Sequence, residues 1–300
     1  MGGATSQWAN IAKRLTYKIR KQRWILISLW KNPVGMVGVG VLFVMIFCAI
    51  FAPWITPHDA FKSDVPHRFE GPSSTYLLGT DYLGRDILSR IIYSARIVVP
   101  IIFSTVALGT AAGVILGLIA GFYSGTIVEK VLIWIFDIIS TFPGLILVLA
   151  LIATFGPSTG MLIGIMSFWR IPGYGRIARS EILSLKHETY VTAAESLGAK
   201  KSRIIFAHML PNTIPPIIIL AGMDLGVVVM GLAGLSFLGL GVQAPAPSWG
   251  RLLSEGYAYV RQSPWLLLWA SIVLIIIMIG CSLFSSGLRA ALNPSESYKG

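Results

Sequence analysis

The chain has 300 residues, 55% of them hydrophobic and only 12% charged, with a formal net charge of +11. An average soluble domain is nearer a quarter charged, so these proportions, with apolar runs as long as those below, exclude an ordinary soluble domain. The basic residues flank the apolar runs instead of interleaving with exposed aromatics, which sets nucleic-acid binding aside.

About 20 helical residues cover the ~30 Å hydrocarbon layer. Six runs qualify as candidate spans: Val34–Trp54, Ile97–Phe122, Val131–Phe155, Gly160–Ile177, Ile214–Leu240 and Trp265–Leu288. They do not alternate polar with apolar as barrel strands do, so the expected spans are helices. With the N-terminus in the cytoplasm, 17 of the 24 Lys and Arg residues fall on the inner side and 7 outside. That bias fits the positive-inside rule and an even number of spans.

In chain order, Trp8, Ile11, Leu15, Ile19 and Trp24 lie among the basic residues of the N-terminal segment 1–32. This pattern reads as a helix on the anionic cytoplasmic leaflet, with a plain basic tail as the alternative. The long basic stretch, and the lack of a small-x-small site near Pro53, argue against a cleaved leader. Cys48 and Cys281 both fall inside apolar runs and read as packed thiols. The first outer segment contains Leu78-Gly-Thr-Asp-Tyr-Leu-Gly-Arg-Asp86, where Gly79 and Gly84 suit turns and Asp86 suits the N-cap of the next helix. A structural role is expected for this loop, with contact to an outer partner as the alternative.

In the second span Gly109, Gly113, Gly117 and Gly121 recur every four residues and continue to Gly125. The stripe predicts close approach of another helix. The third span holds Asp137 and then Thr141-Phe-Pro-Gly144, where Pro143 predicts a kink. Asp137, and Asp224 in the fifth span, are candidate pathway or gate residues if they lie at membrane depth. They are inexpensive ordinary acids if they lie near an interface.

Between the fourth and fifth spans runs a charged stretch, Ile177–Asn212. In it Tyr190, Ala193, Ala194 and Leu197 recur at helical spacing and Gly198 breaks the helix. A second short helix is expected from Lys200 to about His208, ended by Pro211. A helix-Gly-helix knob of this kind suits docking on a cytoplasmic partner. Beyond the fifth span, the small residues and prolines of Gly231–Gly250 predict irregular backbone, which borders a permeation path or forms an exposed turn.

No phosphate-binding loop, H-E-x-x-H, C-x-x-C or G-x-S-x-G occurs, and His58, His67, His187 and His208 are scattered. No enzyme chemistry, cofactor or metal is therefore expected in this chain itself. If it moves solute uphill, the energy comes from a partner or an ion gradient.

Thr192-Ala-Ala-Glu-Ser-Leu-Gly198 followed by Leu210-Pro211 resembles the E-A-A-x3-G-x9-I-x-L-P signature of ABC importer permeases. Thr192 stands where Glu is usual and His208 where Ile is usual, so no role passes to a carboxylate at 192. Leu78–Arg90, Leu235–Gly250 and Gly287–Pro294 resemble the C-type subunit of the dipeptide/oligopeptide/nickel branch, extending the likeness over nearly the whole chain from about Pro33.

The resemblance implies an all-α integral membrane protein of the prokaryotic plasma membrane, with six transmembrane helices in the type I importer permease fold and both termini cytoplasmic. It implies a basic segment (1–32), a first span with its outer segment (33–96), a core permease domain (97–290) carrying a coupling helix (188–205), and a cytoplasmic tail (291–300). Tyr190, Ala193, Ala194, Leu197, Gly198 and Ala199 would seat on an ATPase. The implied partners are a homologous second permease, two ATPases that bind ATP and Mg, and an extracytoplasmic solute-binding protein. The expected cargo is a di- or oligopeptide, with nickel, a metallophore or an oligosaccharide as alternatives. A reading of another class, an ion-coupled carrier or channel, would lean on Asp137 and Asp224.

Overall fold

The structure, a computed structural model, describes residues 32–186, 188–200 and 203–292, with Leu145, Ala194, Glu195, Phe206 and His208 described by backbone alone. The basic N-terminal segment, His187, Lys201, Ser202 and residues 293–300 lie outside the described residues.

Helix α1, Pro33–Ile55, starts where Asn32 accepts hydrogen bonds from the Val34 and Gly35 amides and Pro33 supplies a helix-ready φ. Helix α2 runs from Ile87 to Phe122, capped by Asp86, whose carboxylate accepts from the Ser89 amide at 3.0 Å. It begins ten residues before the apolar run at Ile97, because that cap and a folded loop replace lipid as the surroundings of its first turns. Helices α3 (Ile127–Thr141) and α4 (Gly144–Phe155) are separate pieces, bent by 87° about Phe142-Pro143. The expected single kinked span is thus a break: Pro143 has no N–H to donate and Phe142 is extended.

Helix α5 is Thr159–Leu185, α6 is Thr189–Ser196, α7 is Leu210–Phe237, α8 is Trp249–Ala258 and α9 is Pro264–Leu292. The short second helix expected to end at Pro211 does not end there. A π turn at Ile204–Met209 leads straight into α7, and the Leu210 amide bonds to the Ile205 carbonyl. The wider register makes room for a proline near the start of a long helix. Likewise the backbone stays helical from Gly231 to Phe237, and irregular structure is confined to the stretch before Trp249.

Helices α1, α2, α7 and α9 are each long and apolar enough to cross a bilayer, and the bent α3–α4 pair makes a fifth candidate. The run at Gly160–Ile177 is helical, but α5 is less apolar because it carries Arg170, Arg176 and Arg179. Among the described residues the regular structure is helical, apart from one bridge between Thr80 and Asp86.

Two glycine-lined seams organise the bundle. Helix α2 lies along α5, and α1 lies along α9, where a Cβ on Gly35 would come within 2.8 Å of the Gly287 Cα. The main core gathers Val98, Ile101 and Ile102 of α2, Leu162 and Ile165 of α5, and Val228, Val229 and Leu232 of α7. A second cluster ties Ile87 and Ile91 to Leu252 of α8 and Leu266 of α9.

Candidate functional site

Three arrangements stand out: an outward-facing short helix, an arginine-bearing helix beside cavities, and a folded loop at one end.

The short helix is α6. Val191 is its anchor, fully buried with Ile182, Leu118, Ile204 and Met209. The residues at helical spacing turn the other way: Tyr190 is 39% exposed, Ala193 is exposed and Leu197 is 87% exposed. The Tyr190 hydroxyl accepts a hydrogen bond from Asn212 at 3.1 Å, linking α6 to the start of α7. Gly198 follows at φ 72°, a left-handed conformation that suits glycine, and Ala199 folds back against the Val191 cluster. Ala194 lies on the same helix, its side chain outside the description. Val191 was not singled out from the sequence, although a β-branched apolar residue opposite an apolar stripe signals the inward face. An exposed leucine on an anchored helix is an unfilled apolar contact, as at a docking surface.

Helix α5 pairs each of three arginines with an acid on another helix. Arg179 meets Glu129 of α3 with Nε to Oε1 at 2.8 Å. Arg176 meets Asp137 at 2.9 Å and Ser140 at 3.1 Å. Arg170 meets Asp224 of α7 at 2.9 Å. The two acids singled out from the sequence differ in setting. Asp137 is 61% exposed, whereas Asp224 is 8% exposed in the middle of α7. An exposed pair contributes at most about 1 kcal/mol; a buried acid without its partner would be far more costly. The arginine partners were not paired with these acids from the sequence, because they lie 39 and 54 residues away and only the fold brings them together.

Beside Arg170 and Asp224 lies a cavity of about 220 Å³, lined also by Ser140, Trp169, Tyr174 and Leu220. A second, mainly apolar cavity of about 310 Å³ shares Trp169 and Arg170 and continues toward Val148, Met166 and Met230. The Arg170 guanidinium stands 5.8 Å from the centre of the Trp169 ring.

The glycine stripe of α2 faces this same α5. A Cβ would meet Ser167 and Arg170 at Gly109, Tyr174 and Ile171 at Gly113, Gly175 and Ala178 at Gly117, and Ile182 at Gly121. The stripe therefore lines the contact that holds the arginine-bearing helix against the core.

At the end where α2 begins, the loop between α1 and α2 folds on a buried ion network. Asp81 accepts from Arg85 Nε at 2.7 Å and also binds Arg90, which is fully buried. Arg90 reaches Glu255 of α8 at 2.6 Å, and Arg251 reaches the same carboxylate at 2.9 Å. Burial pushes the Glu255 carboxyl up, but Arg90, Arg251 and Arg85 outweigh it and hold the group below the usual carboxylate range. Gly84 sits where a Cβ would lie 1.7 Å from the Asp64 carbonyl, at φ 74°. The Trp249 indole donates to the Ile91 carbonyl at 3.1 Å, closing α8 onto α2. These contacts account for the Leu78–Asp86 motif as the fold of its own loop.

Comparison with known proteins follows the same outline. Residues 113–298 match the family model of binding-protein-dependent transport system inner membrane components. Residues 22–72 match the N-terminal transmembrane domain of oligopeptide transport permease C. The chain is 38% identical, over 89% of its length and 88% of the other's, to the dipeptide transport system permease protein DppC of Alkalihalophilus pseudofirmus. It is 35% identical, over 91% of both chains, to the di/tripeptide transport system permease protein DppC of Pseudomonas aeruginosa. It is 36% identical, over 84% of its length and 85% of the other's, to the glutathione transport system permease protein GsiD of Pectobacterium atrosepticum.

Proposed function

Because the chain belongs to the family of binding-protein-dependent transport system inner membrane components, we propose that it is one permease subunit of an ATP-driven importer of short peptides. The relatives named as permeases for dipeptides, di- and tripeptides and glutathione support the cargo class. The observation that carries the reading is α6: a helix anchored by Val191 that holds Leu197 outward just before the left-handed Gly198.

In this reading six helices span the membrane, with α3–α4 as one broken span and α5 as another, and both termini are cytoplasmic. The arginines of α5 are tolerable at that depth because each is paired. The segment 33–96 is a first span with its outer loop, and 97–290 is the core permease domain. The unit at 188–205 seats on an ATPase through Tyr190, Ala193, Ala194, Leu197, Gly198 and Ala199. A second, homologous permease completes the path, two ATPases bind the ATP and Mg, and a solute-binding protein delivers peptide on the outer side of a prokaryotic plasma membrane.

The mechanism is alternating access. Closure of the ATPase dimer draws the two α6 units together, and the bundles rock between inward- and outward-open states. This chain supplies contacts that differ between the states, not bond chemistry. The π turn at Ile204–Met209 and the break at Pro143 are places where a rigid helix could change its path. An ion-coupled carrier would need an intramembrane acid without a countercharge to take up a lone proton or ion, whereas Asp224 and Asp137 each pair with an arginine.

The test is reconstitution of the chain with its second permease, ATPases and binding protein in proteoliposomes. Uptake of a labelled dipeptide should require ATP and every partner. Uptake driven by a proton or sodium gradient without the ATPases would reject the reading.

A further inference from the structure

We propose that Arg170 and Asp224, with Trp169 and Tyr174, form a transit subsite for the two charged termini of a short peptide; this rests on the peptide-import reading above. Arg170 gives Asp224 a single hydrogen bond, from Nη1 to Oδ1, and its other N–H groups have no acceptor among the described residues. Its side chain is 19% exposed and lines both cavities, so a carboxylate entering either can meet it. Asp224 uses one oxygen on Arg170, which leaves the carboxylate able to accept from an ammonium. The Tyr174 hydroxyl is fully buried at the cavity wall and stands beside Asp224 and Thr110 without a well-formed hydrogen bond to either. A buried hydroxyl without a partner is costly unless something in the working cycle supplies one.

The chemistry selects the occupant. The pair is neutral as a whole, so a ligand with one charge of each sign can bind it and leave no charge uncompensated at membrane depth. A dication or a simple anion would leave one of the two residues unmatched. A dipeptide spans about 7 Å between its charged ends, at ~3.5 Å per residue, so its carboxylate can reach the free donors of Arg170 while its ammonium reaches Asp224. The adjoining cavity, with Val148, Met166 and Met230, takes an apolar side chain without dictating its shape. The two cavities, about 220 and 310 Å³, together have the size of small-molecule sites, ~300–1,000 Å³.

The experiment uses the complete transporter in nanodiscs and alanyl-photoleucine, a dipeptide whose side chain carries a diazirine. After illumination, adducts should map to Met166, Trp169 or Met230. Arg170→Gln and Asp224→Asn should each lower that labelling about tenfold or more, the scale of one lost charge-assisted hydrogen bond. In the unaltered complex, excess dialanine should suppress labelling, and N-acetyl-dialanine amide, which carries neither charge, should not. Adducts only elsewhere, undiminished labelling in both variants, or equal suppression by the blocked dipeptide would overturn the subsite. Dipeptide uptake by a complex that shows no adducts at these residues overturns the subsite and leaves import standing. No uptake at all overturns the import reading and the subsite with it.

Discussion

Adding one methyl group at Gly117 tests how α2 and α5 are held together. The new Cβ would lie 2.3 Å from the Gly175 carbonyl oxygen and 2.8 Å from the Ala178 Cβ. Neither neighbour can swing aside, because one is backbone and the other is the first atom of its side chain. To restore ordinary contact, at 3.4 Å or more, the helices must separate by about 1 Å locally. Overpacking of this kind costs about 1–3 kcal/mol, while alanine in place of a helical glycine returns about 0.5–1 kcal/mol. Gly117→Ala should therefore be less stable by about 1–2 kcal/mol. Gly164, on the exposed face of α5, has nothing within 4 Å of a Cβ, so Gly164→Ala should gain about 0.5–1 kcal/mol. Reversible unfolding of the purified chain in detergent measures both. Equal or greater stability for Gly117→Ala would refute the close seam.

The ion network at the α2 end gives a signed pH dependence. The folded Glu255 carboxyl titrates below its unfolded value, so its contribution is present above the usual carboxylate range, ~4.3, and is lost as pH falls through the lower folded value. Glu255→Gln should remove that dependence and expose the loop near Arg90 to faster hydrogen exchange; an unchanged acid profile would contradict it. Asp86→Ala should destabilise the start of α2 by about 0.5–2 kcal/mol, seen as faster amide exchange at Ser89, through loss of the cap. Asp137→Asn removes an exposed pair and should change the unfolding free energy by less than about 1 kcal/mol, a prediction that a larger loss in the same denaturation assay would sink.

Much of the fold was legible in the chain because its longest signals are local. Apolar runs announce α1, α2, α7 and α9, and the Asp86 cap is written in the residues beside it. The breaks were less legible. Pro143 signals a local irregularity, but whether the helix kinks or turns by 87° depends on what packs around it. Pro211 read as a stop, yet a π turn admits it, since hydrogen-bond register is a property of the whole segment. The site was legible in part for the same reason. Tyr190, Ala193 and Leu197 share a face by spacing alone, whereas the buried face opposite them, at Val191, is defined by contacts with Leu118 and Met209. Asp224 stood out as an acid in an apolar run. Its partner Arg170, the cavity beside the pair and the link from Arg90 to Glu255 join distant parts of the chain.

The central claim is that α6 is the point through which an ATPase acts on this bundle, and Leu197→Asp tests it most directly. Leu197 is 87% exposed, so a carboxylate there should leave the melting temperature of the isolated chain unchanged within about 0.5 kcal/mol of stability. In the assembled complex it would put a charge into an apolar seat, and a central interface residue commonly costs 2 kcal/mol or more, about thirtyfold in affinity. Binding of the ATPase subunits to wild-type and Leu197→Asp complexes, measured side by side with the melting temperatures, decides it. The account predicts unchanged melting with at least thirtyfold weaker ATPase binding. Unchanged melting with undiminished ATPase binding and uptake would contradict it.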